Sequence, residues 1–336
     1  MRPFVAVLAL LCIAGSSSAH AQAEQALTMP LPPKDVSVAK PQFMRLSSNQ
    51  SPAQDVTLAA GIVKVKAFIL PLIQSFGIGG RLAQVWFVPA YASLDGRIDI
   101  QDTVIGGMPF PDTTITIAEQ DGLMDPVAKF RIGLVGAPAL RLVPRTQWKP
   151  EFQLYAWMTV AMPLGQYDPT RRVNIGANRW AFQFGTPMVL PLSHDNTRPG
   201  WLEFTPSVVF YTANNEPFAG DKRTQDPLLK LEAHASHHFT TKVWASLDGG
   251  YQYGGKAAID GVSTDVIINQ LGLGVTVGYH IMSVLSAEVA YERLFFEQNK
   301  GYFWRVAVLA SLPSKKDREE VKRLQEEARK KAASAQ

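Results

Sequence analysis

The densest group of chemically capable side chains is the stretch HASHHF, with His234, Ser236, His237 and His238. Such residues suit either a metal site or a serine nucleophile with a histidine base. Both readings depend on the backbone that carries them. On a strand, i and i+2 lie about 6.8 Å apart and i and i+4 about 13 Å apart. A metal held at about 2 Å by each ligand cannot take both His234 and His238. Ser236 lies outside the roughly 2.6–3.2 Å needed for direct proton transfer. Alternation instead puts Lys230, Glu232, His234, Ser236 and His238 on one face and Leu229, Leu231, Ala233 and Ala235 on the other. No Gly-x-Ser-x-Gly accompanies them. The segment predicts a polar lining, with no catalytic, metal or cofactor site.

A second candidate is MPLGQYDPTRRVNIGANRWAF, residues 162–182, whose glycines and arginines suggest a phosphate grip. No Gly-Lys-Ser/Thr follows, and no strand–glycine loop–helix order surrounds it. It reads as a loop between two strands. Asp168-Pro169 suits the first two positions of a turn, and Gly165 and Gly176 are expected to supply positive φ. Arg171 and Arg172 then form a basic extracellular pair, for which lipopolysaccharide phosphate is an available partner.

The elements that position these residues have a period of two from about Leu58 to Ala310. Leu202, Phe204, Val208 and Phe210 alternate with Glu203, Thr205, Ser207 and Tyr211. Phe152, Leu154, Ala156, Met158 and Val160 alternate with Glu151, Gln153, Tyr155 and Thr159. These runs reach about ten residues, the length of a tilted membrane-crossing strand rather than a globular one. Short and long connections alternate along the chain, as periplasmic turns and extracellular loops do. The fold class predicted is all-β: a transmembrane antiparallel up-and-down barrel. Eleven strands are clear between Ile62 and Leu309, and Lys40 to Ser47 is the natural twelfth, because single-chain bacterial barrels have even strand numbers.

Carried through all strands, the alternation points Lys64, Lys66, Lys129, Arg131, Glu151, Gln153, Tyr155, Trp157, Arg179, Gln183, Glu203, Lys230, Glu232, His234, Ser236, His238, Asp248, Gln252, Glu288, Glu292 and Arg305 into the lumen. Both charge signs occur, which fits a wet channel or a barrel closed by ion pairs. Tyr155 and Trp157 suit either stacking on an aromatic solute or filling a narrow barrel. Aromatics near strand ends, among them Trp86, Trp201, Tyr211, Trp244, Tyr291 and Trp304, are expected to form the interfacial girdle.

The ends of the chain set the compartment. Residues 1–23 read as a secretory signal peptide, with an apolar FVAVLALLCIAG core too short to span a membrane. Cys12, the only cysteine, falls within it, which excludes disulfides and thiolate metal sites afterwards. Residues 24–38 form a Pro-rich leader, 39–312 the barrel and 313–336 a charged tail. The tail, SLPSKKDREEVKRLQEEARKKAASAQ, predicts a helix with a Ser314–Asp317 capping box and acid-first pairs such as Glu319–Arg323. It holds eight Lys/Arg against five Asp/Glu, three of the four net positive charges of the chain. The remainder is nearly balanced, so nucleic acid is not an expected partner.

Three stretches, GLMDPVAKFRIGLVGAPAL, PLGQYDP…VNIGANRWAF and QDPLLKLEAHASHHF…VWASLDGGYQYGGKAAIDGV, resemble the phenol meta-pathway degradation family. The resemblance spans about Phe76 to Ala310. It implies an outer-membrane barrel of transporter type linked to aromatic catabolism, and it brings no catalytic residues. The chain departs from the family pattern after Leu312, where the charged tail begins. Asn299, Gly301, Trp304 and Val306 in the last strand fit the spacing read by the barrel assembly machinery. The expected function is an outer-membrane channel for small aromatic or apolar solutes, set in outer-membrane lipid with both termini periplasmic. The alternative is a closed barrel whose loops or tail bind a partner.

Overall fold

The computed structural model describes Ala26 and residues 30–48, 61–100, 103–105, 108–110, 113–193, 198–218, 220–264, 267–295 and 301–334. Residues 1–23, read above as a signal peptide, and Asn299 lie outside these residues.

Twelve antiparallel strands close into a barrel. They are β1 (Val36–Ala39 and Gln42–Ser48), β2 (Gly61–Ile69 and Leu72–Ile78), β3 (Arg81–Val88 and Ala90–Ile100) and β4 (Thr113–Leu123 and Val127–Val135). There follow β5 (Gln153–Ala161), β6 (Ala181–Gly185 and Met188–Pro191), β7 (Gly200–Tyr211) and β8 (Leu228–His238). The last four are β9 (Val243–Gly254), β10 (Ile268–Met282), β11 (Leu285–Phe295) and β12 (Gly301–Pro313). Each pairs with the next, and β1 pairs with β12 to remove the sheet edges (Phe43 opposite Val306, Val38 opposite Ser311).

Five strands are written in two segments because proline interrupts them. Pro41, Pro71, Pro89, Pro126 and Pro187 sit at the breaks and have no N–H for the ladder. Their carbonyls still accept: Lys40 N–H donates to Pro71 at 2.9 Å and Leu70 N–H to Pro89 at 3.0 Å. The strands therefore bend without parting. Outward positions carry a broad apolar band that includes Phe68, Leu72, Phe87, Leu231, Leu247 and Val306, the surface a bilayer solvates.

One end holds both described termini and the connections at 79–80, 136–152, 239–242 and 283–284. The other holds the loops at 162–180, 212–227 and 255–267. The 136–152 connection is longer than a turn and contains helix α1 (Leu142–Gln147). Helix α2 (Lys315–Ser334) continues from β12. Its N-terminus is capped as the sequence predicts: Ser314 Oγ donates to Asp317 Oδ2 at 2.6 Å and accepts from Asp317 N–H at 3.2 Å. Two ion pairs along it are basic-first, Lys315–Glu319 and Arg323–Glu327. Asp317 is fully buried and meets Arg141 Nη2 at 3.0 Å, which ties α2 to the α1 connection. Asp317→Ala removes the side-chain half of the capping box and this pair but keeps the Asp317 N–H to Ser314 Oγ bond, a loss of about 0.5–1.5 kcal/mol for the hydrogen bond alone. Limited trypsin digestion of the tail is expected to accelerate, with the melting temperature of the barrel unchanged.

Candidate functional site in the barrel lumen

Three surfaces shape the interior. The end that carries the termini is filled. Leu31 of the leader is buried with Leu82, Ala137, Tyr155, Val189 and Trp201. Its carbonyl accepts from Arg145 Nε at 2.8 Å, and Ser75 Oγ donates to Pro33 O at 2.7 Å. Tyr155 is sealed in this cluster, with its hydroxyl donating to Gln153 Oε1 at 2.6 Å and the Arg131 guanidinium 4.5 Å from its ring. Tyr155 therefore fills the barrel and has no face for a solute.

The second surface is apolar and comes partly from the loop at 162–180. Val173 and Ile175 turn inward and pack on Leu46, Val63, Val65, Ala92, Leu94 and Phe303. Asp125 anchors the fold-back by accepting from Gly165 N–H at 2.8 Å and Ala177 N–H at 2.7 Å. Gln120 Nε2 donates to the Val173 carbonyl at 2.8 Å. Gly165 and Gly176 do not adopt positive φ; Asn178 does, at 51°. The glycines serve close approach, since a Cβ on Gly165 would lie 2.6 Å from Asp125 N and one on Gly176 2.8 Å from Gly165 C. The Asp168-Pro169 turn forms as predicted, with Arg171 N–H donating to Asp168 O at 3.0 Å. Hydrogen bonds from the Thr170 hydroxyl and N–H, and then Arg171, hold the Asp168 carboxyl below its ordinary range. That contribution is present at neutral pH and fades as pH falls through the depressed value. Arg171 is exposed and Arg172 half-buried.

The third surface is a polar wall on β7 to β12. Asp248 Oδ1 lies 2.8 Å from His234 Nδ1 and accepts from Ser246 Oγ at 2.8 Å, while Oδ2 accepts from Thr276 Oγ1 at 2.6 Å. Glu288 Oε1 lies 2.7 Å from Lys40 Nζ and 3.6 Å from Arg305 Nη2, and Lys230 lies 3.5 Å from Glu232. Glu203 and Gln252 are buried on the same wall. Both carboxylate oxygens of Glu292, both side-chain polar atoms of Gln270, His234 Nε2 and Ser236 Oγ are buried with no partner among the described residues. Atoms so placed cost about 1–3 kcal/mol each unless an internal water meets them.

Between the surfaces lies a cavity of about 460 Å³, the size of a small-ligand site. Lys129 Nζ sits 4.4 Å from the Trp86 ring and 4.5 Å from the Trp157 ring. Also on the lining, the Arg179 guanidinium lies 4.3 Å from the Tyr211 ring and donates to Gln225 Oε1 at 2.5 Å. Gln183, half-buried, also lines the cavity. Five cations (Lys40, Lys129, Arg179, Lys230, Arg305) and two carboxylates (Asp125, Glu288) line it, and Glu232 also meets Lys230.

The sequence phase is corrected at two places. Lys64 and Lys66 are exposed on the outer face, while Val63, Val65 and Ala67 point inward. The inward loop supplies an apolar partner there, so the lumen face of β2 is apolar. Glu151 is exposed ahead of β5 in the α1 connection. His238, at the end of β8, is only partly buried, and its Nε2 lies 3.4 Å from His280 Nε2. Trp86, Trp201, Tyr211 and Trp244, expected in the girdle, face the interior. The signal was available at Trp86, which shares the phase of buried Gln84.

The sequence profile described as "Putative MetA-pathway of phenol degradation" matches residues 46–307, most of the chain. The chain belongs to this family. The family match spans β2 to β11 whole and the cavity residues from Trp86 to Arg305. No curated protein sequence matches the chain. Among solved structures, the family member is similar to an outer-membrane channel from Pseudomonas putida F1, at 14% identity and a TM-score of 0.62 over 86% of this chain and 100% of that one. It is also similar to the transport unit of the autotransporter AIDA-I from Escherichia coli (11% identity, TM-score 0.47, 92% of this chain and 97% of that one). A third similarity is to the Ralstonia pickettii toluene transporter TbuX (6% identity, TM-score 0.40, 84% of this chain and 90% of that one). The first likeness establishes the fold, that of an outer-membrane β-barrel.

Proposed function

We propose that this barrel is a passive outer-membrane channel for small solutes with an aromatic or apolar body and an anionic end, of which aromatic carboxylates are the type. Lys129, held between Trp86 and Trp157 on the cavity wall, carries the reading. It pairs a positive charge with two aromatic faces within reach of one small molecule. Lys40, Lys230 and Arg305 on the cavity wall give the carboxylate polar partners, and the wall formed by Val65, Ile69 and Phe303 gives the ring an apolar face. In this reading both termini are periplasmic, the long loops face the cell exterior, and Arg171 and Arg172 stand where lipopolysaccharide phosphates are accessible. The last strand is the element read by the barrel assembly machinery.

The test is block of current through the reconstituted barrel by benzoate. Trp157→Ala is expected to raise the half-blocking concentration about tenfold, the equivalent of roughly 1.4 kcal/mol. Equal block of both proteins overturns the site. The second reading, a closed barrel that binds a partner through its tail, draws support from the sealed Leu31–Tyr155 end and the Arg141–Asp317 dock. It requires the absence of conductance and loss of partner capture when Lys315 to Gln336 are deleted.

A further inference from the structure

The outer face carries a group of cations that the lumen reading does not use. Climbing β2 toward the loop end beyond exposed Gln74, the exposed positions are Leu72 and Phe68, then Lys66 and Lys64, and last Ile62. On β1 exposed Phe43 is followed by exposed Arg45, and on β11 Val289 and Tyr291 are followed by Arg293. Basic side chains therefore enter the outward stripes above Phe68, Phe43 and Tyr291 on three strands, with Ile62 and Phe295 beyond them. Their entry is marked by aromatic rings: Trp304 lies 5.7 Å from Phe43, and Tyr291 lies 6.5 Å from Tyr302. The barrel's register makes the group compact. Arg45 stands opposite Lys66 on one side and Trp304 on the other, and Arg293 stands opposite Tyr302.

Two like charges directly opposed in a ladder are unfavourable, and Arg45 and Lys66 occupy such a pair. The acidic groups nearby are on one flank. Asp95 stands opposite Lys64. Beyond it, Asp121 accepts from Tyr91 OH at 2.5 Å and Glu119 from Ser93 Oγ at 3.4 Å. An anion above Arg45, Lys66 and Lys64 offsets their repulsion, and its apolar chains would meet Phe43, Phe68 and Val306 below.

We propose that Arg45, Lys64 and Lys66 form a site for the phosphorylated glycolipid headgroup of the outer leaflet. The assignment of leaflet rests on the reading that the long loops face outward. The binding itself does not, and it is tested on the purified full-length barrel in detergent by native mass spectrometry. The probes are bisphosphorylated lipid A, its dephosphorylated form and phosphatidylglycerol. The expected result is retention of bisphosphorylated lipid A in preference to both others. The triple variant R45Q/K64Q/K66Q should lose at least tenfold of that retention, while loop substitutions K149Q/K222Q/K256Q leave it unchanged. Heat-modifiable electrophoretic mobility confirms that each variant is folded; if the triple variant does not fold, K66Q alone carries the test. Equal retention of dephosphorylated lipid A or phosphatidylglycerol, or full retention by the folded variant, overturns the site. Labelling of Arg172→Cys in intact cells reads loop orientation separately, so a failure of sidedness is not mistaken for a failure of binding.

Discussion

Asp125→Ala is expected to add frequent, larger open-channel excursions to the current of the barrel. The Asp125 carboxylate holds the inward loop by two backbone hydrogen bonds, to Gly165 and Ala177. Charge-assisted bonds of this kind contribute about 1.5 kcal/mol each. Their joint loss, about 3 kcal/mol, shifts the loop equilibrium on the order of 100-fold. Val173 and Ile175 remain packed against β1, β2 and β3, so the loop leaves and returns rather than staying out. Two measurements check this. Single-channel records should show flickering steps larger than those of the wild type, and trypsin should cut after Arg171 or Arg172 at least tenfold faster. Asp125→Asn, which keeps an acceptor but no charge, should fall between. An unchanged cleavage rate would mean that the apolar packing alone holds the loop.

Glu288→Ala is expected to have the largest effect on stability. Lys40 and Arg305 converge on one carboxylate oxygen, and all three side chains are nine-tenths or more buried. Breaking a buried ion pair from one side costs about 3–5 kcal/mol, because a charge is left in a poor solvent. For a chain of this size that corresponds to a melting temperature lower by roughly 10 °C. The same change removes one of two carboxylates from the cavity lining, so the reversal potential in a salt gradient should move further toward anions. Glu288→Gln should recover part of the stability and none of the selectivity. Stability lost without any change in selectivity would place Glu288 away from the conducting path.

The barrel was legible because its two faces have different solvents. Long strands that alternate apolar and polar side chains follow from a sheet with lipid outside and water within. The twelfth strand followed from parity, and the structure supplies it at Gln42–Ser48 with Val36–Ala39 ahead of it. The polar wall was legible for the same reason: Lys230, Glu232 and His234 on β8 and Asp248 on β9 are buried at interior positions.

The lumen of β2 was not legible. Its rule, polar inside, assumes water inside, and the loop at 162–180 replaces that water with Val173 and Ile175. The information sits a hundred residues away in a segment whose own pattern reads as an ordinary loop. The aromatics failed similarly. A tryptophan at a strand end suits the membrane interface and the lumen equally, and only the phase of its neighbours separates Trp86 and Trp244, which line the cavity, from Trp180 and Trp304. Tyr155 and Trp157, two residues apart on one face, divide between the sealed end and the cavity. The leader decides that division by packing Leu31 on Tyr155.

The most direct measurement is the reversal potential of the reconstituted barrel in a planar bilayer under a salt gradient, for the wild type and Asp125→Ala. A channel whose cavity is lined by five cations and two carboxylates should conduct, should prefer anions, and should lose current on addition of benzoate. No conductance from either protein, or a preference for cations unaffected by benzoate, would contradict it.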